Sequence, residues 1–160
     1  RSEGGLAVCR GDRDGALADA LQLLKEHRRN LSAGIAWVEE TGVTREEHVQ
    51  WFHAGDQIRA TIVGIVAGMV LGSDGVDRHR PIVGFAEKGD SEGVKVSVRA
   101  PNRLASRGID LSVAMRDAAA TVGGEGGGHE MAAGATIPEG AERAFLEALD
   151  QVVGEQLEAG

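Results

Sequence analysis

The segment Gly123-Gly124-Glu125-Gly126-Gly127-Gly128-His129 holds five glycines in its first six residues and ends on an imidazole. Glycine lets a backbone reach positive φ and turn consecutive N–H groups toward an anion. A phosphate or a terminal hydroxyl would suit such a loop, with His129 donating from its end. Two familiar phosphate-binding arrangements are excluded. No Gly-Lys-Ser/Thr follows the glycines, as a P-loop requires, and the run follows a helical pattern instead of the strand that a dinucleotide fingerprint demands. A zinc-protease helix also fails, because its second histidine would stand at Ala133.

Upstream, Val94, Val96 and Val98 alternate with Lys95, Ser97 and Arg99. Period two places the valines on one face of a strand and two cations with a hydroxyl on the other, a face fit for an anion. Arg103 and Arg107 follow in a loop that can bring them near Arg99. Other chemistry is weakly represented. Cys9 is the only cysteine, which removes an internal disulfide and cysteine-rich metal sites, and nothing beside it activates a thiol. His48, His53 and His79 are not at metal-ligand spacing and read as solvent-facing; Asp74 and Asp77 lack the companions of a calcium loop.

These residues must be held by elements that the pattern locates. Asp14 to Asn30 reads as a helix striped by Leu17, Leu21 and Leu24, with Asp12 and Asp14 at its start, and Gly34 to Val38 as a short buried strand. Thr44 and Glu47 form a capping-box pattern that places a short helix at Arg45 to His53. Asp56 is positioned to cap a helix over Gln57 to Leu71, whose Gly64 and Gly68 would let another element approach closely. Strands are expected at Ile82 to Glu87 and Val94 to Ala100, joined as a hairpin through Gly89 to Gly93. Asp110 caps a helix to about Val122, the glycine run follows as a loop, and a strand at Ala135 to Ile137 precedes a helix from Pro138 to about Leu157. The order gives an α/β (α+β) fold, a mixed β-sheet of about four to five strands flanked by helices.

The 160 residues suit one domain, and a net charge of −8 with 14 arginines among 17 basic residues and no tyrosine fits a salt-loving archaeon or a high-GC bacterium. The charge is then a solvent adaptation and leaves local anion binding open. No apolar run of about 18 residues and no secretory leader pattern is present, so a soluble, cytoplasmic protein without membrane attachment is expected.

The strand Val94-Lys95-Val96-Ser97-Val98-Arg99 followed by Gly126-Gly127-Gly128-His129-Glu130-Met131-Ala132-Ala133-Gly134 closely resembles the C-terminal DHH-associated (DHHA-type) domain of DHH-superfamily phosphoesterases. That family pairs a strand ending Ser-x-Arg with a downstream Gly-Gly-Gly-His-x-x-Ala-Ala-Gly loop. The resemblance covers about residues 32–158 and is similar to the archaeal RecJ-like exonuclease branch, which includes nucleases of the replication complex. It implies that Gly126, Gly127, Gly128 and His129 hold a phosphate or a strand end, with Ser97 and Arg99 contacting the substrate backbone; Lys95 and Arg103 extend the same cationic face. No Asp-His-His occurs, so residues 1–31 are expected to be a linker helix from an absent N-terminal catalytic domain and 32–160 the substrate-binding domain. By that resemblance manganese (or magnesium) belongs to the absent domain, none is bound here, and this fragment alone is inactive. The expected partner is single-stranded DNA or RNA. The alternatives are a small phosphate compound such as polyphosphate, a 3′-phosphorylated adenine nucleotide (pAp) or a cyclic dinucleotide, and a non-catalytic interaction module. Trp37, Trp51, Phe52, Phe85 and Phe145 are the only aromatics, and Trp37, Phe85 and Phe145 read as buried, so a short contact is favoured over an extended stacking platform.

Overall fold

A computed structural model describes residues 13–89 and 93–159; Cys9 and Asp12 lie outside them. The chain divides into two compact units, residues 1–33 and residues 34–160. Helix α1 runs over Arg13–Thr41. In the first unit its Leu17, Leu21, Leu23 and Leu24 are all exposed.

The strand expected at Gly34 to Val38 is instead the last part of α1. A five-residue apolar run carries no decisive period, and Val38, one turn beyond Gly34, is buried in the helical register. Gly34 leaves room for Val66 and Ile58, whose side chains would meet a Cβ at 3.0 and 3.5 Å. The helix stops at Gly42, whose φ of 83° suits the left-handed cap and whose N–H donates to the Val38 carbonyl at 2.7 Å.

Where a capped helix was expected over Arg45 to His53, two strands form, β1 (Thr44–Arg45) and β2 (Gln50–His53). In β2 Gln50 and Phe52 are buried while Trp51 and His53 are half-buried, so pairing with the sheet overrides the local capping signal. The next helix, α2, covers Val63–Val70, shorter than the stretch from Gln57, and its N-cap is Ile62 with no side-chain cap, so Asp56 does not serve.

Beyond it lie β3 (Ile82–Glu87), β4 (Val94–Arg99), a 3₁₀ turn (Asn102–Arg107) and helix α3 (Leu111–Thr121). Then come β5 (Glu125–Gly128), β6 (Ala132–Ile137) and helix α4 (Glu142–Ala159). Asp110 caps α3 as expected, accepting from the N–H groups of Ser112 and Val113. α4 begins four residues after Pro138, because Gly140 at φ 85° makes a turn first.

Six strands, rather than four or five, form one mixed sheet in the order β1-β2-β3-β4-β6-β5. Among the described residues only β2 and β3 pair in parallel, with α2 in the crossover that a parallel pair requires. The glycine run is an edge strand and not a loop, paired along β6 with Gly127 opposite Gly134. One face of the sheet carries the core: Val94, Val96, Val98, Ala133, Ala135 and Ile137 pack with Leu111, Met115, Phe145 and Leu149 of α3 and α4. Gln50 and Ser97 are buried polar residues among those described, and the Gln50 side chain pins the loop after α2. Its amide nitrogen donates to the carbonyls of Asp77 (2.7 Å) and Arg80 (3.0 Å), and its oxygen accepts from the Asp77 N–H (2.8 Å).

Candidate functional site

On the opposite face of β4, Lys95, Ser97 and Arg99 point away from that core. The register sets Lys95 beside Thr136, Ser97 beside Gly134 and Arg99 beside Ala132. Helix α2 stands along this face, and between it and β6 runs a groove of about 280 Å³. Its walls and floor include Thr61, Gly64, Lys95, Ser97, Arg99, Gly128, Ala132 and Gly134.

Arg99 sits half-buried in the groove wall. Its Nη1 donates to the carbonyls of Val98 (2.8 Å) and Ala133 (3.3 Å), and among the described residues it faces no carboxylate within ion-pair distance. Burial without a countercharge lowers its pKa from the ordinary arginine value. The guanidinium still holds its proton, so an anion entering the groove would meet a fixed, incompletely solvated cation.

The two helix glycines make this possible. A Cβ on Gly64 would strike the Arg99 Nη2 and come within 3.0 Å of the Ser97 Oγ, whereas one on Gly68 would make ordinary contact with the Arg99 Cγ at 3.7 Å and Cδ at 4.0 Å. The close approach read from their spacing is therefore made by the arginine side chain of β4.

The three consecutive glycines of β5 have three different reasons. Gly126 faces the core: a Cβ there would meet the Met115 carbonyl oxygen at 2.8 Å, so the glycine lets α3 lie on the strand. Gly128 holds φ 141°, with Ala133 Cα at 2.6 Å from a hypothetical Cβ. Gly127 shares the groove face with Gly134, and a Cβ on it would meet nothing within 4 Å. Sterics inside the chain thus explain two of the three.

His129 opens the two-residue turn Glu130-Met131, its N–H donating to the Ala132 carbonyl at 2.8 Å. It is exposed, stands opposite the groove-lining Ala132, and its imidazole makes no hydrogen bond among the described residues. Of the residues expected to bind, Lys95, Ser97, Arg99 and Gly128 line the groove, Gly127 and His129 border it, and Gly126 points to the other side. Arg103 lines an adjoining hollow of about 640 Å³ that shares Arg99, while Arg107 lines neither. At the other end Lys88 joins Lys95, Thr61 and Thr136 around a hollow of about 400 Å³. Among the described residues no carboxylate or imidazole lines the central groove, so its donor set does not suit a divalent cation.

His79 is exposed as expected, whereas His53 and His48 are half-buried and partnered. His53 stacks on Phe85 at 5.4 Å, and its Nε2 lies 2.8 Å from Glu142. Glu47, His48 and Asp150 bring potential metal-ligating atoms within 4.8 Å of one another. Asp150 Oδ1 accepts the N–H groups of His48 (2.7 Å) and Val49 (3.1 Å), and its Oδ2 is 3.4 Å from His48 Nδ1, an ion-pair distance. Sequence spacing gave no hint of this cluster, because 102 residues separate His48 from Asp150 and only the docking of α4 joins them.

Among the described residues no helix is long and apolar enough to cross a membrane. A comparison with family models matches the DHHA1 domain over residues 47–155. An uncharacterized protein of Methanocaldococcus jannaschii is 30% identical over 153 residues, covering 96% of this chain and 32% of that protein. The chain therefore spans about a third of the length of that curated relative. The exonuclease RecJ bound to manganese shares the fold with a TM-score of 0.65 at 22% identity, over 91% of this chain and 33% of that one. A pGpG-specific phosphodiesterase from Vibrio cholerae follows at a TM-score of 0.53 and 12% identity, over 87% and 43%. The six-stranded mixed sheet, the Ser97-Val98-Arg99 strand end and the match across two thirds of the sequence agree: the chain belongs to the DHHA1 domain family.

Proposed function

We propose that this domain holds the phosphate backbone or the end of a single-stranded nucleic acid for hydrolysis by metal ions carried elsewhere in a longer DHH-family phosphoesterase. The observation that carries the reading is Arg99: a half-buried guanidinium with no carboxylate partner among the described residues, set between Lys95 and a bare glycine floor. In a protein of net charge −8, a groove lined by cations and no acid is a local inversion of field that favours an anionic ligand.

Lys95 and Arg99 would neutralise phosphate oxygens, the Arg99 fork giving direction as well as charge. Gly127 and Gly134 would let a sugar–phosphate chain lie against the sheet where any side chain would stand in the way. His129, at the end of the groove, would donate to a terminal phosphate or hydroxyl. None of these groups activates water, so the domain's part in the reaction is to fix the scissile bond relative to the metals. Residues 1–31 would then be the linker from the metal-binding part. Two likenesses support this reading: RecJ, which shares the fold, is an exonuclease, and this chain covers only 32% of its M. jannaschii relative.

The test is fluorescence anisotropy with a labelled oligothymidylate. Arg99→Ala is expected to weaken binding by about tenfold or more, the loss of a charge-assisted phosphate contact. Unchanged affinity in Arg99→Ala and in Gly127→Val together would remove the groove from the function. A second reading, a small phosphate compound such as a dinucleotide, draws support from the absence of any aromatic side chain along the groove, where a stacking platform would be expected for a long strand. Binding confined to mono- and dinucleotides would favour it.

A further inference from the structure

We propose that the hollow beyond Arg99, walled by Arg78, Asn102 and Arg103, is a second anion subsite that takes the next phosphate of the bound strand. The ligand class is then a single-stranded oligonucleotide of linked nucleotides and not a mononucleotide. This rests on the groove reading above and extends it to residues outside the family motif.

Among the described residues three arginines, Arg78, Arg99 and Arg103, line this hollow, and no carboxylate does. Clustered guanidiniums repel one another, and without an acid among them the arrangement is relieved by a bound anion. The hollow of about 640 Å³ and the groove of about 280 Å³ share Arg99, so a chain lying on Lys95 and Ser97 continues past that side chain into the second space. Between the cations its surface includes Gly68, Leu71 and Met131. An apolar patch within a cationic rim matches a nucleotide, whose base is apolar on its faces, better than inorganic polyphosphate, which is anionic throughout.

Both outer arginines sit on anchored backbone. Arg78 is carried by the loop that the buried Gln50 amide clamps at Asp77 and Arg80. Arg103 is in the 3₁₀ turn, which the buried Leu104 fixes beneath it and whose first turn closes with Leu104 N–H donating to the Pro101 carbonyl at 3.0 Å. Two charges from separate loops are thus held at one opening before any ligand arrives.

The experiment compares three probes on the intact chain: thymidine 5′-monophosphate, an oligothymidylate of about four nucleotides and inorganic tripolyphosphate, each by amide chemical-shift titration. In the wild type the oligonucleotide is expected to bind about tenfold or more tightly than the monophosphate and to shift the amides of Arg78, Asn102 and Arg103, which the monophosphate leaves in place. The double variant Arg78→Ser/Arg103→Ser, both exposed positions, should lose that advantage while keeping its affinity for the monophosphate. Its dependence of log affinity on log salt should flatten by about 0.7, the value for one single-strand phosphate contact. Oligonucleotide binding unchanged in the double variant overturns the second subsite, as does an equal loss for both nucleotide probes. Tripolyphosphate binding as tightly as the oligonucleotide overturns the nucleotide assignment. A wild type that binds the monophosphate through Arg99 but gains nothing from a longer strand leaves the groove standing and removes the subsite; a wild type that binds no probe removes both.

Discussion

On one face of β4, Val94, Val96 and Val98 are sealed under α3 and α4; on the other, Lys95, Ser97 and Arg99 stand beside α2 over a floor of glycine. The same six residues answer to two different selections. The valine face is specified by volume, since interiors are close-packed and each methylene there has a neighbour. The polar face is specified by what is kept away from it: Gly64 withholds a Cβ from Arg99, Gly127 leaves open space, and no acid lines the groove. Stability and binding should therefore separate cleanly between the two faces.

The largest break in that comparison is on the core side. Phe145 is fully buried and packs edge-on to Phe85 at 6.1 Å, so Phe145→Ala should lower unfolding free energy by about 3–5 kcal/mol, read by denaturant titration. On the groove side, Arg99→Ala should do the reverse: an affinity loss of about 1.4 kcal/mol or more with stability within about 1 kcal/mol of wild type, because the buried guanidinium lacks a countercharge. A loss of several kcal/mol of stability in Arg99→Ala would show that the polar face is structural after all.

Asp110 tests an intermediate case. The Ser112 hydroxyl above all, then the Val113 and Ser112 N–H groups, hold its pKa below the ordinary aspartate value despite the opposing effect of burial. A depressed acid stabilises the fold above its unfolded pKa and loses that contribution as pH falls through the folded value. Asp110→Ala should cost about 1 kcal/mol near neutrality, and the gap from wild type should close below about pH 4. A gap that persists at pH 2 would contradict the cap. The smallest contrast is between two glycines four residues apart. Gly68→Ala, whose Cβ would lie 3.7 Å from Arg99 Cγ, should keep the guanidinium in place and stabilise α2 by up to about 1 kcal/mol, whereas Gly64→Ala should displace the guanidinium and weaken oligonucleotide binding.

The β3–β4 hairpin, the Asp110 cap and the polar face of β4 were legible because their signals are local: alternation, a capping side chain, a turn. The misreadings share a cause. Thr44 and Glu47 offer a helix start, and only pairing of Gln50 with Ile82 across the sheet makes that segment extended. The glycine run was legible as unusual but not as a strand, since glycine has no β-propensity and β5 exists by virtue of β6 beside it and α3 upon it. Arg78 was invisible as a groove residue, because 21 positions separate it from Arg99 and the join is made by a loop fold.

That loop has one more implication. The Gln50 side chain sets where Arg78 stands but makes no use of its charge, and Arg78 is exposed and contributes nothing to Gln50's hydrogen bonds. Position and chemistry are thus assigned to different residues, one interior and one at the surface. Such a division lets the outer residue change identity from one relative to another without disturbing the frame, so this loop is a natural place for the domain to be retuned toward a different ligand by a single substitution.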